Sequence, residues 1–165
     1  MLALDLAGLV ERSDLIVIGR AKARRGRWAR HGKAIVTDVE FAVQRALKGK
    51  ASLGQRIQIT RLGGTVEGSE VALTVPGEAI FSLEQSSLVF LRRSGDELRV
   101  VGMAQGLMPI RGQGKDAVVL NAKNGPARLR RAPDGTMKSV PRTAREPHRL
   151  SDVTADVEQL VARGH

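Results

Sequence analysis

Strict alternation over residues 35–43 is the sequence feature that most constrains the fold. Every second residue from Ile35 to Val43 is apolar, apart from one Thr, and the positions between them include Asp38 and Glu40. Successive side chains of a β-strand point to opposite faces, so the pattern predicts a long strand with one buried face. The apolar residues are almost all aliphatic, with one Trp, three Phe and no Tyr, so we expect a core of Val, Ile, Leu and Ala.

Other β patterns recur along the chain, separated by turn residues at a spacing of roughly 8–12 residues. The first is apolar on both faces over Leu15–Ile18 and then alternates, which places Ala21 and Ala23 on one face and Arg20, Lys22 and Arg24 on the other. A hairpin tip over residues 26–32 would join it to the next strand. The remaining predicted strands cover residues 56–62, 71–75, 88–91, 98–104, 107–111 and 117–120.

Both ends of the chain carry helical patterns. Apolar residues at helical spacing predict a short helix over 2–12 and a C-terminal helix in which Ser151 is the N-cap and Gly164 the C-terminal cap. The fold class is therefore mainly β, a small antiparallel OB-like barrel with a short N-terminal helix and a C-terminal helix. We divide the chain into a barrel domain with its helix (1–121), a basic arm rich in Pro and Gly without apolar periodicity (122–149), and the C-terminal helix (150–165).

Positive charge is concentrated in two blocks. The net charge is +10. Residues 20–61 contain twelve basic and two acidic residues, and residues 123–149 contain eight basic and two acidic residues, whereas the segment between them is nearly neutral. This asymmetry predicts a polyanionic or acidic partner.

The basic hairpin and the arm supply the candidate partner-binding residues. A basic groove with stacking aromatic rings can bind single-stranded nucleic acid, and Trp28 is the one ring expected on the surface, since Phe41 and Phe90 fall in core patterns. The alternative is a solvated hairpin whose charges protect a strand edge from pairing. The candidate residues are Arg24, Arg25, Arg27, Trp28, Arg30 and Lys33 in the hairpin and Arg128, Arg130 and Arg131 in the arm.

No catalytic, cofactor or metal site emerges from the residue types and their spacing. The chain has no Cys, which removes thiol nucleophiles and thiolate ligands. His31, His148 and His165 lack ligand spacing, so we expect them on the surface. Asp38 and Glu40 share one strand face, and we expect them to pair with Arg20, Lys22 and Arg24 on the preceding strand. Gly63-Gly64 and Gly112–Gly114 are predicted turns or bulges, and we expect no enzyme.

Four segments carry a resemblance to a known group of proteins. They are SDLIVIGRA (13–21), IVTDVEFAVQRALKG (35–49), SLVFLRR (87–93) and LRVVGMAQGLMPI (98–110). Together they resemble a family of uncharacterised proteobacterial proteins, as in the myxobacteria, many of them exported, and the resemblance covers about residues 5 to 120. This family is distantly similar to the barrel of tissue inhibitors of metalloproteinases, which implies an open barrel and protease binding. Those inhibitors present an N-terminal Cys to zinc, so no inhibitory residue transfers to this Cys-free chain.

Three hypotheses for function follow. The first is a non-catalytic protein-interaction domain, acting as an assembly subunit or an inhibitor-like binder with a self or heterologous protein partner. The alternative is nucleic-acid or other polyanion binding through the basic hairpin and arm. The third, an enzyme of unfamiliar design, has no residue pattern in its favour. No apolar run reaches the roughly 18–20 residues that span a bilayer. The compartment stays open between cytoplasmic and exported or periplasmic, the latter if Met1 replaces a removed signal peptide.

Overall fold

The computed structural model describes residues 5–120, 128–140 and 147–164. It confirms a mainly β architecture with a helix near each end of the chain. Short 3₁₀ helices occur at Met103–Gly106 and Gly114–Asp116. The helices are α1 (Leu6–Arg12) and α2 (Leu150–Ala162), and the strands are β1 (Leu15–Trp28), β2 (Ile35–Lys48), β3 (Arg56–Leu62), β4 (Gly64–Thr65), β5 (Ala72–Leu73), β6 (Ser86–Ser94), β7 (Glu97–Val100), β8 (Leu107–Arg111), β9 (Val118–Val119), β10 (Arg128–Arg131), β11 (Met137–Val140) and β12 (His148–Arg149).

Five strands of the main sheet form a closed circuit of pairings. β1 pairs with β2 and β6, β2 pairs with β3, and β6 pairs with β7, all antiparallel. β3 and β7 close the circuit through a parallel contact between Ile59 and Leu98. A circuit with an odd number of strands cannot be antiparallel at every contact. The sheet is therefore mixed, and the prediction of a wholly antiparallel sheet is wrong.

Two hydrophobic cores lie on opposite faces of β1 and β6. The inner core, inside the circuit, includes Phe41 and Phe81, whose rings meet edge to face with centroids 6.1 Å apart. The outer core contains Phe90 and is covered by the helices, which bury Val10 and Val157 completely. The predicted burial of Phe41 and Phe90 is confirmed. Because β1 has a core on each side, Leu15–Ile18 is apolar on both faces, and the alternation begins only after this segment.

The β1–β2 pair contains three register shifts, one of them between Ala21 and Ala23. Lys22 is the extra residue of this bulge, and it reverses the faces of the residues that follow. Arg24 therefore lies opposite Val39, on the inner side of the sheet, rather than on the same face as Arg20. The predicted alternation is wrong beyond this point, because a single inserted residue changes every later side-chain direction.

The residues after β3 depart most from the predicted strand pattern. Only Ala72–Leu73 of the predicted strand 71–75 is extended, and it pairs with the two-residue β4. Val71 and Leu73 are both exposed. An alternating pattern of apolar residues is therefore not sufficient for a strand to be buried. β5 has one strand partner, β4, within the described residues.

Residues 128–140 of the predicted arm form a hairpin rather than a loop, and the last residues of the arm, 147–149, contain β12 of the main sheet. β10 and β11 pair from Arg128 opposite Val140 to Arg131 opposite Met137. In the turn, Gly135 adopts a φ of 86°, and Asp134 accepts hydrogen bonds from the Thr136 amide and hydroxyl. The rest of the arm, 122–127 and 141–146, lies outside the described residues.

The helix ends show which capping signals the fold uses. α2 begins at Leu150, and Arg149 occupies the N-cap without a side-chain cap, so the prediction of Ser151 as N-cap is wrong. The reason is tertiary, because β12 pairs with β9 and carries the chain directly into the helix. Gly164, with a φ of 86°, follows the last turn as predicted. At α1, Asp5 caps the helix by accepting a bond from the Gly8 amide, and residues 1–4 are outside the described part.

Candidate interaction surface

The β1–β2 hairpin carries the sequence-predicted cations on two different faces. The turn begins after Trp28, where the Ala29 amide donates to the Ala34 carbonyl, so the tip starts three residues later than predicted. Arg25 and Arg27 lie opposite Asp38 and Val36 on the outer face of the sheet. Arg24 and Trp28 lie opposite inward-facing residues of β2. The bulge at Lys22 therefore divides what appeared in the sequence as one basic cluster.

Arg27 belongs to an internal polar network. Its guanidinium donates two hydrogen bonds to Asp38, with N–O distances of 2.5 and 3.3 Å. The Thr60 hydroxyl donates to the same carboxylate at 2.9 Å, and Glu97 lies 3.8 Å from Arg27. The hydrogen bond to Asp38 raises the pKa of Arg27 above its usual value. The charge of Arg27 is therefore already balanced within the fold.

Other charged side chains on the outer face of β2, β3 and β7 also form ion pairs with each other. Glu40 pairs with Arg56 at 2.7 Å, and Glu97 pairs with Arg99 at 2.7 Å. The prediction that Asp38 and Glu40 serve as ion-pair partners is confirmed, but their predicted partners are wrong. Arg20 instead donates to the Ser86 hydroxyl, Lys22 pairs with Glu84, and Arg24 donates to the Phe81 carbonyl. At the tip, Arg30 pairs with Asp96 at 3.4 Å, where both side chains are almost fully exposed.

Three cations of the hairpin keep their charge unbalanced. Arg25 and Lys33 are exposed and form no ion pair within the part of the chain that the structure describes. Arg24 bonds to a neutral carbonyl oxygen 3.1 Å away. Trp28 is 44% exposed, which confirms the prediction of a surface ring. These four residues remain available to a partner.

The arm residues are not brought to the hairpin by any strand pairing. Within the described residues, β10 pairs only with β11. Arg128, Arg130 and Arg131 lie on β10, and Arg131 is exposed. Of the predicted histidines, His31 and His148 are exposed as expected, and His165 is outside the described residues.

Apolar residues that the sequence did not single out lie along the second edge of β1. Leu83 pairs with Ala21 in an isolated bridge, and the carbonyl of Phe81 meets Arg24. Farther along, Gly26 approaches Thr65 so closely that a Cβ on Gly26 would lie 1.7 Å from the Thr65 oxygen. Thr65 in turn pairs with Ala72. Residues 71–73 and 80–83 therefore flank the distal half of β1. We call residues 24–28, 71–73 and 80–83 the β1 flank.

The β1 flank holds most of the exposed large apolar side chains. Among the described residues six such side chains are exposed, and five of them lie on the flank. The sixth, Leu53, lies in the turn between β2 and β3, close to where Gly49 abuts Asp14 and Leu15 at the start of β1. Clustering of this kind is typical of interaction sites, whereas scattered single residues are not. The five flank residues are Trp28, Val71, Leu73, Ile80 and Leu83.

The position of Ile80 and Leu83 is fixed by their buried neighbours. Ala79 and Phe81 insert into the inner core, so alternation directs Ile80 outward. Glu84 adopts a left-handed φ of 65°, and its amide donates to the Ala21 carbonyl before the chain enters β6. The sequence contained a weak signal for this arrangement, namely Ala79 and Phe81 on either side of Ile80.

Half-buried charges lie beneath the flank. Burial raises the pKa of Glu78 and lowers the pKa of Arg61, and the attraction between the two groups opposes both shifts. The nearby charge of Arg24 also lowers the pKa of Arg61. Together, the charges of Glu78, Arg61 and Arg24 give a net positive charge. Within the described residues, no cluster of His, Cys, Asp and Glu has the arrangement of a metal site.

Comparison with known proteins returned no relatives for the chain. No family model, no curated protein and no solved structure matches it. The resemblance to the exported bacterial family stays a prediction. None of the helices in the described ranges is long and apolar enough to cross a bilayer.

Proposed function

We propose that this chain is a non-catalytic protein-interaction domain built on a small OB-like barrel. The closed circuit of five strands supports the barrel, because OB domains are five-stranded barrels in which the strands are not simply consecutive neighbours. The long β1, bent by its bulge and shared between β2 and β6, is the kind of strand that closes such a circuit. The helices cover the outer face of β1 and β6.

The observation that carries the functional proposal is the composition of the β1 flank. One exposed Trp, two exposed Arg residues (Arg24 and Arg25) and four exposed aliphatic side chains lie along it. Trp and Arg are enriched among the residues that contribute most to protein–protein binding, and aliphatic contacts exclude water around them. Among the described residues, the half-buried carboxyl group with a raised pKa is Glu78, and the charged groups that act on it are Arg61 and Arg99. These features favour binding over catalysis.

Nucleic-acid or polyanion binding is the second candidate, and the exposed cations Arg24, Arg25 and Lys33 on the hairpin that carries Trp28 favour it. Two features rank it lower. OB domains bind oligonucleotides mainly through the face of strands 2 and 3, and here that face is occupied by balanced ion pairs. Single-stranded binding also relies on several stacking rings, whereas Trp28 is the one exposed ring of the described residues.

A retention experiment with matched variants tests the proposal. The immobilised full chain is exposed to nuclease-treated extract at physiological salt, and retained proteins are quantified for wild type, Leu83→Asp and Leu53→Asp. Both leucines are exposed, so neither change disturbs a core. We expect specific proteins to be retained by wild type and by Leu53→Asp and lost with Leu83→Asp. Equal retention by all three proteins, or retention that disappears with nuclease treatment, would overturn the proposal.

A further inference from the structure

We propose that the segment recognised by the β1 flank is an acidic, amphipathic stretch of another protein, with carboxylate and aliphatic side chains. This inference deepens the proposed function and rests on it. It follows from the two chemistries that the flank places side by side. One is a set of cations that have no acidic partner among the described residues, and the other is a set of exposed aliphatic side chains.

The cationic part lies on the β1 side of the flank. Arg24 and Arg25 are exposed on the inner and outer sides of β1, respectively, and Lys33 is exposed in the hairpin turn. The neighbouring Lys22 is already balanced by Glu84, with an N–O distance of 2.9 Å. Glu67 and Glu70 lie in the β4–β5 turn, next to Val71 of the flank, and form no ion pair within the described residues. A bound segment would therefore direct its carboxylates toward β1, where opposite charges meet.

The aliphatic part of the flank favours a protein segment over a nucleic acid. Val71, Leu73 and Ile80 present methyl groups, which pack against aliphatic side chains and offer bases no stacking surface. A segment that alternates carboxylate and aliphatic residues would satisfy both parts of the flank at once. β5 is an edge strand among the described residues, so an extended segment could also pair with its backbone.

A second copy of the chain fits this surface poorly. The net charge of each copy is +10, and a second copy would add its own Arg24 and Arg25 to the interface without supplying an excess of negative charge to balance them. Like charges in an interface disfavour the complex. The flank therefore selects a partner whose local charge is opposite to its own.

Trp28 provides a direct reporter for the test, because the chain has one Trp and no Tyr. The probe is a short labelled peptide of Glu, Asp, Leu and Val without aromatic residues. Peptide anisotropy gives the affinity, and Trp28 emission shows whether binding occurs at the flank. A peptide with Lys in place of Glu and Asp, an all-Glu peptide and oligothymidylate serve as comparison ligands.

Matched variants separate the two parts of the flank. Arg25→Glu changes an exposed cation on the flank, and Lys50→Glu makes the same charge change in the β2–β3 turn. We expect the acidic peptide to bind with a change in Trp28 emission, and Arg25→Glu and Leu83→Asp each to weaken binding by about tenfold, which corresponds to roughly 1.4 kcal/mol. Lys50→Glu and Leu53→Asp should leave the affinity unchanged.

Three results would overturn the inference. They are equal binding of the Lys peptide, tighter binding of oligothymidylate with loss on Arg25→Glu, and no binding of the acidic peptide. If the acidic peptide fails while retention of proteins still depends on Leu83, the proposed function stands and only the acidic chemistry of the partner is wrong. If retention also fails, the proposed function fails with it.

Discussion

Arg25 and Arg27 lie two residues apart on the same face of β1. We expect Arg27 to stabilise the fold and Arg25 to contribute to partner binding. The structure places Arg27 in a network that stabilises the fold, whereas Arg25 is exposed and forms no ion pair within the described part of the chain. The perturbation is a double-mutant cycle with Arg27→Ala and Asp38→Ala. A parallel cycle with Arg30→Ala and Asp96→Ala serves as the control, because that pair lies at the same hairpin but in solvent.

The expected magnitude follows from exposure. The side chains of Arg27 and Asp38 are 37% and 19% exposed. Fully exposed ion pairs contribute about 0.2–1 kcal/mol, and solvent still screens the partly exposed guanidinium, so we expect a coupling of about 1 kcal/mol at the upper end of that range. Asp38→Ala should cost about 2 kcal/mol in total, because the buried Thr60 hydroxyl loses its acceptor as well. Arg30 and Asp96, at 90% and 80% exposure, should show no measurable coupling.

Urea unfolding followed by circular dichroism gives the four free energies of each cycle. For a chain of this length, 1 kcal/mol corresponds to a shift of roughly 2–4 °C in Tm, which thermal unfolding would detect. Arg25→Ala should leave stability unchanged and weaken binding of the acidic peptide. Equal coupling in the two cycles, or a loss of peptide binding with Arg27→Ala at unchanged stability, would refute the division between Arg25 and Arg27.

Three further predictions concern the elements that position the flank. Gly26→Ala should destabilise the fold by about 1–3 kcal/mol in urea unfolding, since the added Cβ would meet the Thr65 oxygen and displace the β4–β5 hairpin; unchanged stability would show that the hairpin is not packed against β1. Glu78→Gln should raise the free energy of unfolding at neutral pH, because a pKa raised in the folded state means that the ionised carboxylate is the disfavoured form there. In wild type the protonated Glu78 carboxyl stabilises the fold at low pH, and this stabilisation is lost as pH rises through the folded pKa of Glu78. The dependence of stability on pH should therefore be absent in Glu78→Gln. Val157→Ala should cost about 2 kcal/mol of hydrophobic burial, more than the same change at the partly buried Val161, and equal losses would contradict the docking of α2.

The parts of the fold that the sequence predicted well are those that depend on local pattern. β2 follows from the alternation of apolar and polar residues, since a strand with one buried face specifies its own register. Gly164 likewise ends α2 through its own left-handed conformation. By contrast, Ser151 resembles an N-cap but lies inside α2, because the pairing of β12 with β9 determines where the helix begins.

The candidate site was predicted only in part, and for physical reasons. The bulge at Lys22 leaves no clear sequence signal, yet it decides which faces Arg24, Arg25 and Arg27 occupy. The partners of Asp38 come from β1 and β3, and those of Glu97 come from β7 and β1, so they depend on a circuit that alternation does not encode. Exposure of Leu83 depends on its bridge to Ala21, which brings together residues distant in sequence.

Site-specific photocrosslinking tests the central claim most directly. A photoreactive amino acid is placed at Leu83 in one protein and at Leu53 in another, and each is irradiated in nuclease-treated extract at physiological salt. We predict discrete protein adducts from position 83 and none above background from position 53, with adducts at 83 reduced by Arg25→Glu. Adducts of equal abundance at both positions, or none at position 83, would contradict the assignment of the β1 flank as a protein-binding surface.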